Sequence, residues 1–190
     1  LFRSRLGGVA TRRPYDTEVL PMAIIEGVSA EILNYAGVPS AGTDEVQTLT
    51  IDATGGTFKL KFEGFTTSAI SWSATNTTLR DNVDTALEAL SSIGTGGITT
   101  AVGTMTAGVG TLTLTFAGNR AKQSVGLITV DTNSLTGTAT LSIAETTPGV
   151  DATFRGAPKG QLVVDTTNGK LYINTGTALS QTWTVVGTQS

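Results

Sequence analysis

One stretch constrains the fold more than any other. Across Thr77 to Ile93 (TTLRDNVDTALEALSSI), the residues Leu79, Val83, Ala86, Leu87, Leu90 and Ile93 recur at the spacing of a single helical face. Arg80, Asp81, Asp84 and Glu88 occupy the opposite side, so this helix has one dry face and one wet face. A lone amphipathic helix must cover something, and the flanking sequence supplies short alternating strands for it to cover.

From Asp44 the apolar period is two. Val46, Leu49 and Ile51 lead into Asp52-Ala53-Thr54-Gly55-Gly56, after which Phe58, Leu60 and Phe62 share one face of a second strand. The glycine pair between them reads as a hairpin turn. A short strand is expected at Ala69 to Trp72, with Trp72 in the core. The helix start should be capped by Asn76 and the threonine hydroxyls of 75–78. Gly94 sits where a helix is closed by a left-handed residue. Further strands are expected at Ile98 to Val102, Thr111 to Phe116, Val125 to Val130 and Thr138 to Ala144. In Thr111 to Phe116 (TLTLTF), threonines face water and Leu112, Leu114 and Phe116 face inward.

The two ends read differently. Residues 1–43 have Arg3, Arg5, Arg12 and Arg13 at their start and prolines at 14, 21 and 39, which describes an extended N-terminal arm. At most one short helix is expected there, around Ser29 to Tyr35. Val19, Leu20, Met22, Ile24 and Ile25 are too apolar for a free tail, so the arm should lie against a surface. Residues 150–190 read as a small C-terminal β-meander. Gln161 to Val164 and Lys170 to Asn174 flank the turn Asp165-Thr166-Thr167-Asn168-Gly169, and Thr182 to Val186 adds a third strand. Three strands bury too little to stand alone, so this module should dock or oligomerise. The resulting expectation is a mainly β protein with one amphipathic helix (α+β): an arm over 1–43, an antiparallel β-rich domain over 44–149 with its helix at about 77–93, and a β module over 150–190.

Composition narrows the function. The 190 residues contain no histidine and no cysteine, which removes the commonest general base and all thiolate chemistry. A serine nucleophile would need a lysine base, and no Gly-x-Ser-x-Gly elbow is present. No enzyme activity and no cofactor are expected. Asp52, Asp131, Asp151 and Asp165 stand near turns, but no stretch has the order of a calcium loop, and turn aspartates bond their own backbone. The glycine-rich stretches Gly94-Thr95-Gly96-Gly97 and 103–110 lack the lysine of a phosphate loop. A net charge of -3 and a pI near 4.9 disfavour nucleic acid as a partner. The longest apolar run, Val19 to Ile25, is broken by Pro21 and is too short for a membrane span or a signal-peptide core.

Taken in order, the segments TLTIDATGGTFKLKFEGFTTSAISWSATNTTLRDNVDTALEALSSIG, TLTLTFAG and TVDTNSLTGTATLSIAETTPGV resemble a β-rich domain that recurs in structural proteins of tailed bacteriophages. The segment GQLVVDTTNGKLYINTGTALSQTWTVVG is similar to a short β module of phage head-decoration and fibre proteins. Together they lie within residues 46–187, the first beginning at Thr48. The resemblance implies a virion structural protein, assembled in the bacterial cytoplasm, with a place on the capsid surface as a decoration or cement protein. Its partners would be the major capsid protein or other virion proteins and further copies of itself, a trimer among the forms. A tail, baseplate or fibre component is the alternative, and a glycan-binding module is another. No catalytic, cofactor or metal residue comes with the resemblance.

The residues expected to carry interaction are Arg3, Arg5, Arg12, Arg13, Tyr15, Leu20, Ile24 and Ile25 in the arm, and Tyr172 and Trp183 in the meander. Arginines at the head of an apolar arm suit bidentate pairing with carboxylates of a lattice groove. Tyr172 and Trp183 have two readings: a sugar-stacking platform, or cross-strand packing between neighbouring strands.

Overall fold

The computed structural model describes residues 32–188. Its strands are β1 (Ile32–Tyr35), β2 (Val46–Asp52), β3 (Gly55–Phe62), β4 (Phe65–Thr66), β5 (Ile70–Ser71), β6 (Ile98–Thr106), β7 (Val109–Phe116), β8 (Thr129–Thr136), β9 (Thr140–Thr147), β10 (Leu162–Asp165), β11 (Lys170–Asn174) and β12 (Trp183–Val185). One helix, α1 (Asn76–Glu88), lies between β5 and β6. The described residues are mainly β with one α-helix, as the patterning implies.

Two sheets and α1 enclose the main core. One sheet has the order β6-β7-β2-β9, antiparallel throughout. In the other, β3 pairs with β8 along one edge, while β4 and β5 pair with opposite ends of its other edge. Leu49, Ile51, Phe58, Leu60, Phe62, Leu112, Leu114 and Phe116 face inward from these sheets, all at 1% exposure or less. Leu79, Val83, Ala86 and Leu87 close the core from α1. Complete burial of a Leu or Phe side chain contributes about 1.5–3 kcal/mol, so this cluster dominates the stability of the body. Phe62 and Phe116 meet across the two sheets with ring centroids 5.3 Å apart.

The expected hairpin between β2 and β3 does not form. Asp52 to Gly56 carries the chain from one sheet to the other, and the two strands have different partners. Asp52 lies opposite Thr140 and Gly55 opposite Thr136, so β2–β3 and β8–β9 run as one long antiparallel ribbon bent at a shared corner. Thr54 N donates to Thr136 O at 2.9 Å inside that corner. Gly56 has φ +91°, and a Cβ there would run into Ser134 O. The glycine pair therefore permits a bend where strand backbones press together, instead of a reversal.

Three local expectations also change. The helix ends at Glu88, five residues short of Ile93, yet Leu90 and Ile93 stay buried in the turns that follow, and Gly94 N closes on Leu90 O at 2.8 Å with φ +76°. Its N-cap, Thr75, makes no side-chain cap. The Asn76 side chain instead bridges to Met105 O (3.0 Å) and Gly108 N (2.8 Å), tying the helix start to the β6–β7 turn. The strand expected at Val125 to Val130 starts only at Thr129. Before it, buried Glu45 accepts from Val125 N (2.8 Å) and buried Gln47 accepts from Ile128 N (2.9 Å), which satisfies those amides without a strand partner.

Residues 32–35, expected to end a short helix, form strand β1, parallel to β10. This builds a third sheet, β1-β10-β11-β12, whose β10–β11 hairpin and third strand lie where the sequence places them.

Candidate interaction surface

The C-terminal sheet has two unlike faces. On one, Val163 lies opposite Tyr172, and Tyr172 opposite Val185, so Tyr172 is 7% exposed and packed across strands. Trp183 lies opposite Asn174 and finds its aromatic neighbour off the sheet: Phe154, 6.2 Å away edge-on, which also meets Tyr35 at 5.4 Å. Tyr172 and Trp183 therefore do not stack on each other. Phe154, which carries no sequence signal because it stands in a loop without periodicity, is the side chain that joins β1 to β12.

Polar groups do much of the work under this face. Asn174 is fully buried, and its side chain donates to Ala157 O (2.8 Å) and Pro158 O (3.2 Å) while accepting from Gly176 N (3.0 Å) and Thr182 N (2.9 Å). All four of its hydrogen-bonding capacities are met. Gln181 donates to Ala178 O, but its Oε1 and the Trp183 Nε1 are buried with no partner. Burying unpaired polar atoms costs stability, so this corner is less well satisfied than its neighbour.

Asp165 ends β10, and its carboxylate is shielded from solvent. Oδ1 accepts from Thr167 N (2.9 Å), Gly37 N (3.0 Å) and Asn168 N (3.1 Å), and Oδ2 accepts from Asn168 Nδ2 (2.7 Å). The Asn168 side-chain amide, foremost, and these backbone amides hold the carboxyl below the ordinary aspartate range, against the upward push of burial. The sequence implied that this aspartate bonds its own turn. Its reach to Gly37, which fastens the segment after β1, is an addition the structure supplies.

The opposite face of the sheet is aliphatic. Ile32, Leu162 and Ile173 are cross-strand neighbours on three successive strands, and Val164 lies beside them on β10. Ile32 is 41% exposed and the other three are half-buried. Val185 and Val186, each 37% exposed, lie at the β12 edge. The module is joined to the body through Arg155, whose guanidinium donates to Ala121 O (3.1 Å) and Asn119 O, and through the Thr43–Val150 bridge.

Arg3, Arg5, Arg12, Arg13, Tyr15, Leu20, Ile24 and Ile25 lie outside the described residues. Among the described residues, no group of three or more acidic side chains is placed to hold a metal, and no helix is long and apolar enough to cross a membrane. An open groove of about 250 Å³ between β5 and α1 is lined mainly by small residues, including Ser68, Ala69, Ala86 and Ala89.

No protein-family model and no curated protein matches the chain. A solved structure from Mycobacterium phage Patience is similar over 74% of this chain and 49% of its own, at 16% identity and a TM-score of 0.40. The chain thus spans about half the length of that protein. At this distance the likeness transfers no role.

Proposed function

We propose that the chain is a structural protein of a tailed-bacteriophage virion, held on the capsid shell as a decoration or cement protein through its N-terminal segment. The observation that carries this reading is the contrast in closure. The body keeps a large apolar core with scattered exposed aliphatics such as Val102, Val109 and Leu127, whereas the C-terminal sheet sets Ile32, Leu162, Val164 and Ile173 side by side on one half-exposed face that begins at Ile32. Contiguous aliphatics left partly open to solvent are the kind of surface that meets partners. The mechanism is adhesive and non-catalytic. Apolar burial yields roughly 25 cal/mol per Å² before ordering costs, and repetition over a lattice multiplies a modest contact by avidity.

A chain lacking residues 1–31 tests the reading. It keeps β1 and the Gly37–Asp165 bond, so the body and the C-terminal sheet should stay folded, which a cooperative thermal transition would read. Added to undecorated shells of the phage that encodes it, the full chain should co-sediment and the shortened one should not. Equal occupancy by both chains, or no occupancy by the full chain, overturns the proposal. Tyr172 is 7% exposed, which leaves little of its surface for a sugar to stack on.

A further inference from the structure

The sequence contains one Asn-Gly pair, Asn168-Gly169, and it sits in the turn that surrounds Asp165. Four hydrogen bonds reach that shielded carboxylate, all from donors. Three come from backbone amides, which are chemically permanent. The fourth and shortest comes from the Asn168 side chain, which ordinary hydrolysis can turn into an acceptor. Asn168 and Gly169 are both exposed, Gly169 has φ +66°, and the space beside its Cα is open, so no side chain or neighbouring backbone crowds that flank of the turn.

We propose that Asn168 is a deamidation site and that the carboxylate formed there unlatches β1 from the C-terminal sheet. The Gly169 nitrogen gives its proton to water and bonds to Asn168 Cγ; the Cγ–Nδ2 bond breaks, and the amide nitrogen leaves as ammonia. Water then opens the resulting succinimide at one carbonyl to give aspartate, or at the other to give isoaspartate. The sum is amide plus water to carboxylate plus ammonium, with no oxidant and no metal. In the closed turn, Gly169 N donates to Asp165 O at 2.8 Å and the Asn168 amide is held by Asp165 Oδ2, so reaction follows opening of the turn and Asp165 guards its neighbour.

Once converted, residue 168 has acceptors facing acceptors. Two carboxylates at hydrogen-bond distance repel, and the shielded one has lost its shortest partner. The strain falls first on Gly37 N, bound to the same carboxylate. It falls next on Thr166, whose N and Oγ1 donate to Tyr35 O at 2.8 and 3.2 Å and close the end of β1 against β10.

The test follows the full chain at mildly alkaline pH by peptide-resolved mass spectrometry and amide hydrogen exchange, beside the variant Asn168→Asp. Deamidation should accumulate at Asn168 ahead of every other asparagine. The Gly37 and Thr166 amides should exchange at least about tenfold faster in both the aged chain and the variant, as loss of a charge-assisted hydrogen bond requires, while the Leu49 and Leu114 amides keep their rates. The double variant Asp165→Asn/Asn168→Asp restores one amide and one carboxylate, and should recover protection. Deamidation spread evenly over the asparagines, unchanged exchange at Gly37 and Thr166 in Asn168→Asp, or no recovery in the double variant would each overturn the proposal.

Discussion

The body and the C-terminal sheet are both antiparallel-rich β structures, yet they are held by different means. In the body, the side chains at 2% exposure or less are Phe58, Phe62, Phe116, a set of Leu, Ile, Val and Ala residues, and two polar ones, Glu45 and Gln47. Under the C-terminal sheet, the residues at 2% exposure or less are Asp165, Asn174, Gln181 and a single aliphatic, Val163. A core of apolar area is tolerant of pH and of small geometric error. A core rich in hydrogen-bonded polar groups is specific, but depends on each partner being in place, and at Gln181 and Trp183 two buried atoms already lack one. The difference teaches that two β regions of one chain can answer to different perturbations.

The most severe way to break the comparison is to attack the apolar side. Phe116→Ala should cost about 3–5 kcal/mol, because the ring fills the space between the two sheets against Phe62, and equilibrium urea denaturation would read that loss. If the C-terminal sheet were independent of the body, its own transition would survive this change. Its links through Arg155 and the Thr43–Val150 bridge lead us to expect that it does not.

Acid should separate the two regions more gently. The Asp165 carboxyl is held below its ordinary range by folding, so its contribution is fully present above the unfolded value, near 3.9, and is lost as pH falls through the lower folded value. Hydrogen exchange at descending pH should therefore show the amides of Gly37, Thr167 and Asn168 losing protection below about pH 4, before those of β2 and β7. Simultaneous loss in both regions would erase the distinction. The smallest effect is expected from Phe154→Ala, which removes two edge-to-face contacts worth about 0.5–1.5 kcal/mol each. It should lower the stability of the C-terminal sheet and alter Trp183 fluorescence while the body's denaturation midpoint stays in place.

Much of this molecule was legible because alternation reports which face of a strand is dry. Leu112, Leu114 and Phe116 point inward as read, and so do Phe58, Leu60 and Phe62. Alternation does not report which strand lies alongside. Asp52 to Gly56 has the residues of a reversal, but β8 and β9 bend with it, and that partnership spans far more sequence than any local signal. Thr48 and Thr146, for example, are joined across 98 positions. Residues 32–35 read as the end of a helix for a related reason. Four residues are too few to establish a period, and the β10 strand that fixes them as β lies at the other end of the chain, with Tyr35 and Thr166 bonded across 131 positions. At the candidate surface, the turn of Asp165 could be read from its own residues. Phe154 could not, since its loop has no repeat to weigh it against.

The bent ribbon has a consequence for how the polypeptide is made. Because β2–β3 and β8–β9 are two halves of a single strand pair, neither of the body's sheets can be finished while Thr129 to Thr147 is still being synthesised. The nascent chain must keep β2 and β3, with Phe58, Leu60 and Phe62, out of wrong pairings until that late stretch arrives. Non-local pairing of this sort makes acquisition of the native state slow, and a chaperone has its longest window of usefulness in that interval.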